Sequence, residues 1–114
     1  MSAVRWTVRP TPEADRDFVE ILQWTKKTFG ARQARIYNTT LLRALRALRS
    51  GPDIPGGVQR DDLAPGILTL HVARNGRKGR HFIVFRVGDD HVIDVLRLLH
   101  DSMDLSSHLP ASEE

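Results

Sequence analysis

TPEADRDFVEILQWTKKTFGARQARIYNTTLLRALRALRSG, residues 11–51, reads as two helices with one residue between them. Thr11 offers a hydroxyl to an orphan amide, Pro12 fits the first helical position, and Glu13 and Asp15 lie against the positive dipole end. Lys26 and Lys27 suit a last turn, and Gly30 can take the left-handed conformation that ends a helix near Phe29. A second helix then runs from Ala31 to about Arg49 and stops at Ser50-Gly51-Pro52. A link this short predicts a tight antiparallel hairpin, because other arrangements need more chain.

At about 100° per residue, Ala14, Phe18, Ile21, Leu22, Thr25 and Phe29 share one side of the first helix and are expected to face the core. Trp24 beside that stripe and Val19 off its other edge read as partly covered boundary residues, or as exposed apolar contacts. On the second helix, Ala34, Tyr37, Leu41, Ala44, Leu45 and Leu48 form an apolar arc. Arg32, Arg35, Arg43, Arg46 and Arg49 form a basic stripe with Leu42 among them. Such a stripe is a solvated face or a partner surface, and the two readings weigh about evenly.

Outward from the hairpin the period changes to two. Ala3 to Arg9 alternates as a short edge strand, with Val4, Trp6 and Val8 on one side. Asp53 to Gly66 reads as a loop. Ile67–Arg74, Arg80–Val87 and His91–Leu99 then form three strands, joined by turns at 75–79 and 88–90, and predict an antiparallel meander. Phe82 to Phe85 and Val95 to Leu99 carry hydrophobes on both alternating sets, so these strands are expected to be covered on both faces. The pattern does not say which face meets the helices. After His100 a weakly amphipathic segment suits one helical turn, and 111–114 reads as frayed. The expected fold is α+β, a single domain over 1–114: an N-terminal strand, a helical hairpin packed on a three-stranded meander, and a short helical tail.

The chain has 114 residues, 17 Lys and Arg against 14 Asp and Glu, five His, and no Cys. The absence of Cys excludes disulfides, thiolate metal sites and cysteine nucleophiles. No run has the length and apolarity of a membrane span, and residues 1–10 lack a signal-peptide core, so a cytoplasmic protein is expected. The positive balance favours nucleic acid, an anionic surface or an acidic protein as partner.

Arg74, Arg77, Lys78, Arg80 and Arg86 form the densest charge feature, with no acid among them. They suit phosphates or the carboxylates of a partner, or else a charged loop tip that protects a sheet edge. Arg80 and Arg86 flank an apolar strand on the same alternation. His71, His81, His91 and His100 fall at or near strands, but none has metal-ligand spacing, so no metal site is expected. Arg97, His100, Asp101 and Asp104 gather where the last strand meets the tail. No phosphate loop, dinucleotide fingerprint or nucleophile elbow occurs, which leaves no cofactor to expect. Tyr37, the one tyrosine, reads as a core residue.

The element order, together with Pro12-Glu13-Ala14-Asp15-Arg16-Asp17, Gly30-Ala31-Arg32-Gln33-Ala34 with Tyr37, the Gly79 to Val87 strand and above all Ile93 to Asp104, resembles the RelE/ParE toxin superfamily of bacterial toxin-antitoxin modules. The likeness spans Arg9 to Leu109. It implies a type II toxin that is either ParE-like, inhibiting DNA gyrase by contact without an active site, or RelE-like, cleaving mRNA on the ribosome. The second-helix and loop arginines stand where the RelE pattern is lysine-rich, and the sheet and tail lack tyrosine, so the resemblance favours ParE. Carried over, target contact is expected at Arg80, Arg86, Arg97, His100, Met103 and Leu105. On the RelE alternative, Arg86, Arg97 and His100 would be catalytic. A ParD-like acidic antitoxin with a ribbon-helix-helix DNA-binding domain is implied as partner, seated on Trp24, Ile36, Leu42, Arg35, Arg43 and Arg46.

Overall fold

The computed structural model describes residues 4–109. The expected start of the first strand at Ala3 and the frayed 111–114 lie outside them. The elements run β1 (Thr7–Pro10), α1 (Pro12–Phe29), α2 (Ala31–Ala47), a 3-10 turn (Leu48–Ser50), β2 (Gly57–Gln59), β3 (Ile67–His71), β4 (His81–Val87), β5 (Val92–His100) and a second 3-10 turn (Leu105–His108).

The helix signals act where the sequence places them. Thr11 Oγ1 accepts from the Ala14 amide at 3.1 Å and donates to the Leu96 carbonyl at 2.9 Å, so one hydroxyl caps α1 and ties it to the sheet. Gly30 joins the helices at φ 98°, ψ 167°, a region open essentially to glycine alone. Its N–H donates to Lys26 and its carbonyl accepts from Ala34, which closes one helix and opens the next.

The sheet order is β1-β5-β4-β3-β2. The meander of β3, β4 and β5 is antiparallel as expected, and β1 lies parallel to β5 at one edge. β2, expected as loop, adds a fifth strand by pairing Gly57–Gln59 with Leu68–Leu70. Three residues that begin with glycine carry little strand propensity, and the ladder of β3 supplies what the side chains do not. Opposite β4 the register skips Leu96, placing a bulge in β5.

The two faces are now distinct. Leu70, Val72, Ile83, Phe85, Ile93, Val95 and Leu98 meet Ala14, Leu41, Ala44 and Leu48 of the hairpin. Ile67, Val84, Leu96 and Leu99 form the back core, closed by Leu63, Leu105 and Leu109. The expectation of double coverage holds, and Ile83, Val84 and Phe85 are fully buried.

Phe29 corrects the expected stripe of α1. It is 62% exposed, because core packing along α1 ends at Thr25 and the chain turns at Gly30 one residue after Phe29. Val19 and Trp24 are exposed too, beyond the partial cover of boundary residues. Among the described residues no helix is long and apolar enough to cross a membrane.

Candidate partner-binding groove and the tyrosine–histidine cluster behind it

The end of α1, the first half of α2 and the β3–β4 turn enclose an open groove of about 520 Å³. Trp24 (59% exposed), Phe29 and Ile36 (43% exposed) supply its apolar wall, and Arg77, Lys78 and Arg80 its cationic rim. The Trp24 and Phe29 rings meet edge to face, with centroids 5.7 Å apart, so the two form one aromatic ledge.

Behind the groove Tyr37 packs its ring against the core, as the apolar arc of α2 predicts. Its hydroxyl accepts from the Arg80 amide at 3.0 Å and donates to His81 Nδ1 at 2.7 Å, joining α2 to the start of β4. Gly79 makes the approach possible, since a Cβ there would stand 3.1 Å from the Tyr37 hydroxyl and 2.5 Å from Val72. Burial, and to a lesser degree the nearby His100, push His81 down to about 4, against the opposing pull of Asp101. Burial likewise raises Tyr37 above its ordinary value. A neutral His81 is the form that can accept from Tyr37 while the hydroxyl still accepts from Arg80.

Around this pair the polar groups are satisfied by one another. Asp101 accepts from Arg80 Nε at 3.0 Å and from His71 Nε2 at 2.9 Å, and Arg80 first, then His71, hold its carboxyl down at about 2. His100 stacks edge-on against His81 at 5.2 Å and bonds through Nδ1 to Ser102. Among the described residues no group of acids and histidines could hold a metal ion.

The histidine has a consequence for stability. Unfolded, it takes a proton near pH 6.5; folded, it resists until about 4. Between those values the unfolded chain binds the extra proton, so His81 makes stability fall as pH drops through this window and makes no further difference below it. Melting temperatures recorded from pH 7 to 4 should show that decline, and His81→Asn, which keeps an acceptor for Tyr37, should flatten it. An unchanged profile in the variant would assign the decline to other groups.

The expected target residues do not form one patch. Arg80 precedes β4 and Arg86 lies near its far end, so the strand between them holds them ~20 Å apart. Arg97 is engaged: Nε and Nη2 donate to Asp17 at 2.7 and 3.0 Å, and Nη1 donates to the His108 carbonyl. Leu105 is 7% exposed and closes the back core, so its side chain offers no contact surface, whereas Met103 is exposed. Asp104 caps the tail turn through Ser106 and Ser107 and borders one hollow with Asp101.

The expected antitoxin residues fall on two sides of α2. Trp24 and Ile36 line the groove described above. Leu42 and Arg46 border a second hollow with Arg5, Trp6, Leu45 and Arg49, while Arg43 faces the β3–β4 turn and Arg35 is exposed. Helical spacing groups them by type, and the position of the sheet beneath α2 divides them.

Residues 8–105 match the model of a family described as ParE toxin of type II toxin-antitoxin system, parDE. The chain belongs to the ParE toxin family. Toxin ParE1 of Mycobacterium tuberculosis, known from strains CDC 1551 and H37Rv, is 31% identical to this ParE-family chain over 99 residues, covering 87% of it and 93% of the relative. Among solved structures, a chain of the chromosomal ParDE system from P. aeruginosa superposes with a TM-score of 0.68 at 20% identity, covering 87% of this chain and 98% of that one. A chain of the RelBE2 toxin-antitoxin complex from Mycobacterium tuberculosis gives 0.56 at 26% identity, covering 87% and 94%. The α+β architecture read from the sequence is thus that of both ParDE and RelBE toxins, and the chain is the toxin of a type II toxin-antitoxin system.

Proposed function

We propose that this ParE-family toxin arrests growth by gripping DNA gyrase through protein contact, working in the cytoplasm. A ParD-like antitoxin silences it in a hetero-oligomeric complex. The antitoxin's acidic segment lies in the groove of Trp24, Phe29 and Ile36, and its ribbon-helix-helix domain binds DNA. The observation that carries this reading is a division of labour at the groove. The aromatic and aliphatic side chains are free, while Tyr37, His81, Asp101 and His100 are spent on one another or on Arg80, His71 and Ser102. That is the chemistry of an interface with a buried brace behind it, where apolar anchors give affinity and the cationic rim steers an acidic partner. The two structural neighbours, named for ParDE and RelBE2 toxin-antitoxin systems, support a protein partner.

One observation favours a second reading, RNA cleavage. A neutral His81 held against a tyrosine hydroxyl beside Arg80 has the elements of a general base with a cation for a phosphate. One experiment separates the two. The purified chain is added to gyrase with relaxed plasmid and, in parallel, to a translation extract. Loss of supercoiling with translation intact is the expected result. Intact supercoiling with cut mRNA, abolished by Tyr37→Phe or His81→Asn, would replace the gyrase reading with the nuclease one.

A further inference from the structure

Arg43 and Arg46 of α2 and Arg74 and Arg77 of the β3–β4 turn line one notch of about 300 Å³, which adjoins the groove of Trp24 and shares Thr40 and Arg77 with it. These residues come from two separate basic runs of the sequence, and only the packing of the hairpin on the sheet brings them together. We propose that this four-arginine notch seats the phosphate backbone of duplex DNA.

The charge is uncompensated and partly fixed in place. No carboxylate lines the notch, and among the described residues the ion-paired arginines are Arg9, Arg60, Arg80 and Arg97, none of these four. Arg77 is held by neutral acceptors, Nε on Thr40 Oγ1 at 2.9 Å and Nη2 on the Ile36 carbonyl at 3.2 Å, and Arg74 Nη2 donates to the Pro55 carbonyl at 3.2 Å. Such partners orient a guanidinium without cancelling its charge. Four cations converging this way repel one another and attract an anion with several charges, and the guanidinium fork matches phosphate oxygens in pairs.

The lining also selects among polyanions. It has no aromatic ring on which an unpaired base could stack, which disfavours a single strand. Its apolar members are Ala44 and Val72, both almost fully buried, and Ala47, so it lacks the exposed grip for a peptide's aliphatic side chains that Trp24, Phe29 and Ile36 give the other groove. Arg32 and Arg35 extend the charge along the same rigid helix, a row of ~21 Å from Arg32 to Arg46. A straight row of cations fits the stiff phosphate ridge of a duplex and reads no base sequence.

This inference is independent of the choice between gyrase and mRNA, and its test contains neither gyrase nor ribosomes. Binding of the full chain to a short labelled duplex is followed by fluorescence anisotropy across a salt series. For the native chain, log K should fall linearly with log salt. R43Q/R46Q should lower that slope by about two, one for each phosphate left without its arginine, and Arg74→Gln on the opposite wall by about one. R16Q/K27Q removes the same net charge from α1 and should leave the slope near the native value. Thermal melts of each variant establish that it is folded. Equal losses in R16Q/K27Q would overturn the proposal in favour of diffuse attraction. Tighter binding of a poly-glutamate peptide than of the duplex would assign the notch to an acidic protein, and binding of inorganic phosphate without the duplex would reduce it to a small-anion site.

Discussion

Asp17→Ala should destabilise the chain by ~3 kcal/mol or more, the largest loss expected from one side chain outside the apolar core. β1 pairs with β5 only as far as Pro10 and Val95, and beyond that point the edge of β5 needs other partners. Thr11 takes the Leu96 carbonyl, and the Asp17 carboxylate accepts the Leu98 amide at 3.0 Å while holding Arg97 through two bonds. With Arg97 bonded in turn to His108, one carboxylate connects α1, β5 and the tail that closes the back core. Alanine would orphan a buried amide and leave a partly buried guanidinium without its counter-charge. For a domain of this size the melting temperature should drop by roughly 12 °C or more. Asp17→Asn should cost less, since its amide oxygen still accepts from Leu98, and Arg97→Met added to Asp17→Ala should recover part of the loss by removing the stranded charge. Thermal melts of the three variants give the order; an Asp17→Ala chain that melts like the native one would remove Asp17 from this role.

Trp24→Ala should weaken the antitoxin complex by about 30-fold or more, the loss of ~2 kcal/mol or more that a central aromatic anchor carries. Trp24 is more than half exposed and stacks on Phe29, so truncation removes the ledge without opening the core. Ile36→Asp should weaken the complex further by setting a like charge against an acidic segment. Val19, exposed on α1 but outside the groove, is the control, and Val19→Ala should leave affinity unchanged. Titration calorimetry with the antitoxin's acidic segment measures all three. Val19→Ala matching Trp24→Ala in its loss would move the interface to another face of α1.

Trp24 stands out in the sequence as an apolar residue beside the core stripe. Its partner Phe29 falls within that stripe by period, because periodicity gives an angle around a helix axis and does not tell where the underlying sheet stops. Asp17 shows in the sequence only as an acid at the edge of the core-facing stripe, one turn before Ile21, with nothing to name its partner. It lies near the start of α1, where acids are favoured by the helix dipole alone, and its real partners Arg97 and Leu98 are far along the chain. Tyr37 shows the same limit: its place on the apolar arc is correct for the ring and silent about the hydroxyl, which reaches His81 across a gap opened by Gly79.

The sequence by itself determined the two helices, their tight link at Gly30, the three central strands and their double coverage. These follow from caps, glycine conformations and hydrophobic period, all of which act between residues a few positions apart. Tertiary structure alone decided that β1 runs parallel to β5, that β2 joins the sheet, which face the helices cover, and that basic runs from α2 and the β3–β4 turn meet in one notch. Each of these depends on packing and hydrogen bonding between residues distant in the chain, and such contacts leave no period or spacing to read.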